Sequence, residues 1–275
     1  EGEKSPGGTC LNVGCIPSKA LLHASEAYND SLENFSKMGI EIKRPTINWS
    51  QMLKYKDSMV SQNTKGIEFL FKKNKIKHIT GWAKIENNTT ISVGNTTISS
   101  ANIVIATGSK PASFGGIKPD GRIIVDSTGA LGLKEIPKKI VVIGGGVIGL
   151  EMGSVFNRIG SEVTVIEYLD QIAAGMDKEI SNSFLKVLKK QGLNFILNSG
   201  VSDIIIKKNR ATVAYKLTST SDTQTISADV VLIATGRKAY TTGLGLEKVN
   251  IVTNEMGQIV VNEKLQTNHS NIFAI

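Results

Sequence analysis

Both cysteines of the chain, Cys10 and Cys15, lie in one stretch, Gly7-Gly8-Thr9-Cys10-Leu11-Asn12-Val13-Gly14-Cys15-Ile16-Pro17-Ser18-Lys19. With so short a spacing the two sulfurs reach disulfide distance only if the backbone bends, which Gly14 and Pro17 allow. A ring this small gains little closure entropy, and strained disulfides are the more easily reduced ones, so the pair reads better as a redox couple than as a staple. A helical pattern follows through Ala20-Leu21-Leu22-His23-Ala24-Ser25-Glu26-Ala27. It puts Cys15 near a helix N-terminus and Lys19 one turn beyond it, and both effects favour a thiolate. The bland alternative is two buried cysteines acting as small hydrophobes. A metal site is weaker still, because no other Cys or suitably spaced His completes one.

A second chemistry-bearing stretch is Lys139-Ile140-Val141-Val142-Ile143, an apolar strand followed at once by Gly144-Gly145-Gly146-Val147-Ile148-Gly149. A helix to about Ile159 comes next, closed by Gly160, and then a strand Glu162-Val163-Thr164-Val165-Ile166 ending in Glu167. Strand, turn, helix, strand and acid in this order form a dinucleotide-binding unit. Gly144 makes the tight turn, Gly146 lets a pyrophosphate approach, Gly149 packs helix on strand, and Glu167 is placed for ribose hydroxyls. A carboxylate there repels a 2′-phosphate, so NAD is favoured over NADP.

Around these stretches the polar segment Asn29 to Thr46 reads as a loop. A helix is predicted from Trp49 to Lys73, with Met52, Tyr55, Met59, Gly66, Phe69 and Leu70 near helical spacing. Lys77 to Ser99 reads as an antiparallel meander turned at Asn87-Asn88 and Gly94-Asn95. Ala101 to Ala106 is a buried strand, and Lys110 to Gly121 a connector between domains. A further helix is capped by Asp177, with an apolar face of Ile180, Phe184, Val187 and Leu188 and with Gly192 at its end. Strands follow near Asn194–Leu197, Val201–Ile206, Ala211–Leu217 and Asp229–Ala234.

The segment Ala101-Asn102-Ile103-Val104-Ile105-Ala106-Thr107-Gly108-Ser109 is repeated in kind by Ala228-Asp229-Val230-Val231-Leu232-Ile233-Ala234-Thr235-Gly236-Arg237. One strand-and-turn closing two halves of the chain suggests two related dinucleotide domains in tandem. Only the second half has a glycine fingerprint. Glu1 is not an initiator Met and Ile275 ends an apolar run, so the chain is expected to be a piece of a longer protein whose first fingerprint lies upstream.

The run Gly8 to Lys19 resembles the redox-active disulfide segment of the flavoprotein disulfide reductases, and among them most the dihydrolipoamide dehydrogenases. The fold this resemblance implies is α/β, two tandem Rossmann-like dinucleotide-binding domains with an antiparallel β-meander and with the C-terminal dimerisation domain absent. The FAD-binding domain would cover 1–112, the NAD-binding domain 113–241, and 242–275 would return to the first. The implied activity is oxidation of protein-bound dihydrolipoamide to lipoamide through the disulfide and FAD, with reduction of NAD+. The implied catalytic residues are Cys10, Cys15, Lys19 and Glu151, the last two paired beside the flavin. The implied cofactor-binding residues are Thr9, Lys19, Ala106, Thr107, Gly108, Gly144, Gly146, Val147, Ile148, Gly149, Glu151, Glu167, Ala234, Thr235 and Gly236. The partner implied is a lipoylated acyltransferase of a 2-oxoacid dehydrogenase complex or a glycine cleavage lipoyl protein. A homodimer is implied too, in bacterial cytoplasm or the mitochondrial matrix. Ala239 departs from the family, which usually has Pro there. A mercuric or glutathione-type reductase is the alternative within the family; Glu167 argues against its NADP-dependent members and Ser18 against a glutathione reductase, while the terminal cysteines usual in a mercuric reductase would lie outside this stretch of chain. A non-catalytic NAD-binding fragment is the alternative outside it.

At 275 residues the chain has room for about two domains, and 40% hydrophobic with 20% charged residues is ordinary for a globular protein. A net charge of +8 is spread along the chain, with only short clusters such as Lys72-Lys73-Asn74-Lys75, and no nucleic-acid recognition motif accompanies it. No membrane span or signal peptide is read, and two cysteines placed for redox work suit a reducing compartment. His23, His78 and His269 read as surface or packing residues.

Overall fold

The structure is a computed structural model that describes residues 1–220 and 222–275. It begins with helices α1 (Gly8–Val13), α2 (Cys15–Glu33) and α3 (Trp49–Lys73). Strands β1 (Ala83–Asn87), β2 (Thr90–Val93), β3 (Thr96–Ser99), β4 (Ile103–Ile105), β5 (Ser109–Pro111) and β6 (Ile124–Val125) follow. Next come α4 (Ser127–Ala130), β7 (Lys139–Ile143), α5 (Val147–Arg158), β8 (Glu162–Ile166), α6 (Lys178–Lys190) and β9 (Asn194–Ile196). The chain finishes with β10 (Ser199–Lys207), β11 (Arg210–Leu217), β12 (Thr223–Ala228), β13 (Val230–Ile233), β14 (Arg237–Ala239) and β15 (Ile272–Ala274). These elements cluster into two units, one of Glu1–Asn12, Ser61–Lys110 and Arg237–Ile275, the other of Val13–Val60 and Pro111–Gly236.

The second unit is built on a five-stranded sheet of order β6-β13-β7-β8-β9 in which every neighbouring pair is parallel. Val125, Ile140, Val142, Val163, Val165, Val230 and Leu232 lie in one core with Leu21 of α2, Trp49 of α3, and Leu150, Val155 and Phe156 of α5. Ile124, Val141, Ile143, Ile166, Val231 and Ile233 lie in another, with Ala211, Val213 and Tyr215 of β11 and Ala228 of β12. Successive residues of β7 thus enter opposite cores, and the strand reads as an unbroken apolar run because both its faces are covered. Trp49 fixes the start of α3, its ring centroid 6.0 Å from that of Phe156 and its Nε1–H donating to the Leu133 carbonyl at 2.8 Å.

The first unit holds the meander β1-β2-β3, antiparallel throughout, and a parallel pair of β4 with β15. Ile85, Ile103, Ile105, Leu246, Val249, Ile251, Ile272 and Ala274 make its core. Strand β4 is not buried on both faces as expected, because Val104 between two buried isoleucines is 60% exposed.

Three further expectations need correction. The stretch from Asn29 is helical as far as Glu33, and a 3-10 turn covers Ser36–Met38. Its polar residues mark a solvent-facing helix end, where Asn34 Nδ2 donates to Asp30 Oδ1 at 2.8 Å. In α6 the buried residues are Ser181 and Leu188, with Leu185 packed against the core, while Ile180, Phe184 and Val187 are exposed. The apolar arc of that helix is wider than the strip its unit covers. Strand β12 was not expected at all, since Thr223-Gln224-Thr225-Ile226-Ser227 lies at a sheet edge and is mostly exposed.

Candidate active site

Cys10 and Cys15 are joined in a disulfide, and both residues are exposed. The chain enters this segment through Gly7 and Gly8, at φ +114° and +61°, conformations that other residues seldom adopt. Cys15 is the first residue of α2, behind Gly14 at the N-cap. Pro17 falls in the first turn, where its missing N–H costs no hydrogen bond. A sulfur at the head of a 19-residue helix faces the positive end of the helix dipole.

One turn into α2, Lys19 Nζ forms an ion pair with Glu151 Oε1 of α5. The other carboxylate oxygen is taken by Ser18, whose buried hydroxyl lies 3.1 Å from Oε2 and 3.2 Å from the Cys15 carbonyl. Both oxygens of Glu151 are therefore occupied by consecutive residues of one helix. The lysine side chain is 60% exposed and the glutamate 22%, so the pair sits at a surface with the carboxylate on its inner side. Further along the same two helices Arg158 Nη1 approaches the Leu22 carbonyl at 3.4 Å.

The glycine-rich turn lies between β7 and α5. Gly144 has φ +107°, its N–H donates to the Ile166 carbonyl at 2.9 Å, and a Cβ there would lie 2.5 Å from the Ala234 carbonyl oxygen. A Cβ on Gly149 would lie 2.2 Å from the Gly144 oxygen. Gly146, the N-cap of α5, is exposed with nothing within 4 Å of its would-be Cβ, and Val147 beside it is 60% exposed. Glu167 closes the turn from β8: Oε2 accepts the Gly145 N–H at 2.5 Å and Oε1 the Leu169 N–H at 2.9 Å. The start of α5 at Gly146 and Val147 is thus exposed beside an anchored carboxylate, while Ile148 is half-buried and Gly149 buried. Such a helix start accepts a phosphate.

Ala234, Thr235 and Gly236 follow β13, the last two exposed, and Ala106, Thr107 and Gly108 follow β4, all exposed. The first trio belongs to the larger unit and the second to the smaller. Thr9 is half-buried in the smaller unit, with Oγ1 3.5 Å from the Ser109 carbonyl and 3.4 Å from Nη2 of Arg237. Two residues in these clusters escaped the sequence reading of the site. Ser18 was read only as a mark against a glutathione-type reductase and not as a partner of Glu151, and Arg237 gave a signal only in occupying the position of Ser109 in the repeat.

No helix among the described residues is long and apolar enough to cross a membrane, and no group of potential metal ligands is found among them.

The profile of the pyridine nucleotide-disulphide oxidoreductase family matches residues 3–275. A mitochondrial dihydrolipoyl dehydrogenase of Pisum sativum is 46% identical over 98% of this chain and 55% of its own length. Dihydrolipoyl dehydrogenase 3 of Pseudomonas putida is 47% identical over 94% of this chain and 57% of its own. Among solved structures, the HOCl-induced flavoprotein disulfide reductase RclA from Escherichia coli superposes with a TM-score of 0.82 at 30% identity, covering 99% of this chain and 58% of that one. The chain spans about half the length of the curated relatives it matches.

Proposed function

Since this chain belongs to the pyridine nucleotide-disulphide oxidoreductase family, we propose that the whole protein is an NAD-dependent dihydrolipoyl dehydrogenase. The observation that carries the reading is the exposed Cys10–Cys15 disulfide at the head of α2, one turn from the Lys19–Glu151 pair. The identities of 46% and 47% to enzymes of that name support it.

The fold is mixed α/β, like that of a flavoprotein disulfide reductase. On this reading it comprises two tandem Rossmann-like domains, FAD-binding over 1–112 and 242–275 and NAD-binding over 113–241. The strand-and-turn repeat at Ile103–Ser109 and Val230–Arg237 supports the tandem arrangement.

Two cofactors follow from the family, and the residues present suit both. For NAD the bare start of α5, the empty space over Gly146 and the Glu167 carboxylate fit a pyrophosphate and a ribose diol. Gly144, Gly146, Val147, Ile148, Gly149, Glu167, Ala234, Thr235 and Gly236 would hold it. For FAD, the exposed Ala106, Thr107 and Gly108 stand just beyond the carboxyl end of β4, where open α/β sheets bind ligands. Thr9, Lys19 and Glu151 are proposed with them. FAD, when bound, supplies two-electron transfer between a dithiol and NAD+.

Cys10 is the sulfur attacked by a thiolate of dihydrolipoamide, forming a mixed disulfide as the bond to Cys15 breaks. Cys15 leaves as a thiolate, which the start of α2 stabilises. The second thiol of the substrate then attacks its own sulfur in the mixed disulfide, releasing lipoamide and leaving Cys10 reduced. Lys19 presents a positive charge one turn from Cys15, and Glu151 with Ser18 fixes that charge in place. Glu167 keeps the turn shaped and disfavours a 2′-phosphate.

The partner on this reading is a lipoylated acyltransferase of a 2-oxoacid dehydrogenase complex or a glycine cleavage lipoyl protein. The protein would work as a homodimer, in bacterial cytoplasm or the mitochondrial matrix. The test is NADH formation by the purified whole protein from dihydrolipoamide and NAD+. Failure there, with NADPH oxidised by glutathione disulfide or mercuric ion instead, would replace this reading by one of the other reductases.

A further inference from the structure

A cleft of about 830 Å³ opens at the amino-terminal edge of the parallel sheet, wholly within the larger unit. Lys138 leads into β7 and Asp229 into β13, so the cleft lies at the opposite ends of these strands from the glycine turn and Ala234, roughly 15 Å away along β7. Four cations line it, Arg122, Lys134, Lys138 and Arg210, against two acids, Glu135 and Asp229. Asp229 has both oxygens occupied: Oδ1 pairs with Arg210 Nε at 3.1 Å, and Oδ2 accepts the Lys139 N–H at 2.9 Å. That pairing leaves both Nη groups of Arg210 for a further acceptor. Among the described residues no ion pair holds Arg122, Lys134 or Lys138, and all three are exposed.

The walls are fixed although most of them lie outside helices and strands. Asp120 Oδ1 accepts the N–H groups of Arg122, Ile123 and Ile124 at 2.8, 2.7 and 2.9 Å. Between α4 and β7 the backbone carbonyls are taken in turn. Lys56 Nζ donates to that of Leu131 at 2.9 Å and Trp49 Nε1 to that of Leu133 at 2.8 Å. Ser161 Oγ donates to Pro137 at 2.6 Å and the Glu162 N–H to Lys138 at 2.8 Å. A segment pinned at four points presents its side chains from constant positions, so little ordering is left to be done when a ligand arrives. Leu133, Ile136 and Val230 add apolar surface to the lining.

We infer that this cleft is a second ligand site, and that it takes a polyphosphate group, borne by a nucleotide or free in solution. Two guanidiniums and two ammoniums suit an anion with many oxygens, because guanidinium forks pair with phosphate bidentately and lysines add point charges. A cleft of this size matches a ligand of many atoms, far larger than a lone chloride or phosphate. In a nucleotide the base and sugar would lie on the apolar residues, whereas a free polyphosphate would use the cations alone. Occupancy of the cleft does not compete with a dinucleotide at the other edge of the sheet.

The experiment is calorimetry on the whole protein with ATP and with inorganic tripolyphosphate, each with and without saturating NAD+. Binding is expected to persist with NAD+ present and to weaken as salt is raised. Arg122→Ala and the double variant Lys134→Ala/Lys138→Ala are each expected to raise the Kd about tenfold, the scale of lost charge-assisted contacts. Arg210→Ala should do the same, and if that variant does not fold the other two decide. Lys178→Ala/Lys186→Ala, which removes two exposed charges of α6 outside the cleft, should leave the Kd unchanged. Tighter binding of ATP would assign the cleft to a nucleotide, and equal affinity would assign it to the phosphate chain itself. Absence of binding by both compounds would overturn the inference. So would an equal loss in the α6 variant, which would mean diffuse attraction to a basic protein. Binding lost in Gly146→Ala and kept in Arg122→Ala would place the ATP on the glycine turn and overturn it as well. None of these readouts uses dihydrolipoamide or turnover, so failure of the proposed dehydrogenase activity would leave the cleft's test intact.

Discussion

Ser18 and Glu151, 133 positions apart in sequence, meet at 3.1 Å between hydroxyl and Oε2, on the carboxylate whose other oxygen Lys19 holds. The glutamate is thereby pinned from both sides by one turn of α2. Its orientation is set by packing of α2 on α5 and not by the lysine alone.

Removing either charge should therefore cost chemistry more than stability. In Lys19→Ala and Glu151→Gln we expect dihydrolipoamide-dependent NAD+ reduction to fall about tenfold or more, the scale of a lost charge-assisted contact. The long-wavelength absorption of the thiolate–flavin contact should weaken in both. Unfolding free energy should change by less than about 1 kcal/mol, because the lysine is largely exposed. Unchanged absorption in Lys19→Ala would remove that residue from the site.

Two glycines of the same turn should respond in opposite ways to an added methyl. Gly149→Ala puts a Cβ 2.2 Å from the Gly144 carbonyl oxygen and should lower the urea midpoint, at a cost of about 1–3 kcal/mol. Gly146→Ala meets nothing in the protein and keeps a φ of −78°, so stability should hold within about 0.5 kcal/mol. Its NADH affinity, measured by calorimetry, should nonetheless fall about tenfold, because the methyl occupies the space proposed for the pyrophosphate.

Glu167 bears on both cofactor choice and turn shape. Glu167→Gln should raise the Kd for NADH about tenfold while narrowing the preference for NADH over NADPH, both read by calorimetry. It should also destabilise the unit by about 1–2 kcal/mol, since the Gly145 N–H loses a charged acceptor. Full retention of the NADH preference would separate Glu167 from the ribose.

Asp120 supplies a pH dependence away from the chemistry. Burial opposes its charge, but the N–H groups of Arg122, Ile124 and Ile123 outweigh that and hold its pKa below the usual aspartate value. A carboxylate with a depressed folded-state pKa contributes stability that is complete above its unfolded value and is lost as pH falls through the folded one. Wild type should therefore lose stability below about pH 4. Asp120→Asn should remove its part of that slope, at most about 1 kcal/mol after screening by solvent. Unfolding curves at several acidic pH values would show it.

The parts legible in the sequence were those where burial writes a pattern. Lys139–Ile143 and Glu162–Ile166 have the expected bounds because their buried residues alternate between two cores, and Trp49–Lys73 is the predicted helix. Thr223–Ala228 was missed because an exposed edge strand of Thr, Gln and Ser carries no apolar signal. The solvent-facing Ile180, Phe184 and Val187 misled for the converse reason, being apolar at helical spacing yet outside the core. At the site, the glycine turn and Glu167 could be read locally, since the meaning of each lies within one strand-helix-strand unit. The partners of Glu151 and of Thr9 could not, because Ser18 and Arg237 reach them across 133 and 228 positions.

Strand β13 sits between β6 and β7 although Val230 follows Ile143 by most of a hundred residues, and β6 pairs with no other strand of the sheet. During synthesis, then, β6 and the adjoining edge of β7 wait unpaired while α5, β8, α6 and the antiparallel sheet emerge. Closure of the sheet becomes a late, long-range event, slow by its topology and dependent on the last strand to arrive. A ribosome stalled before Val230 would present two apolar edges to the cell, and chaperone demand at that codon should exceed demand at any point after Ile233.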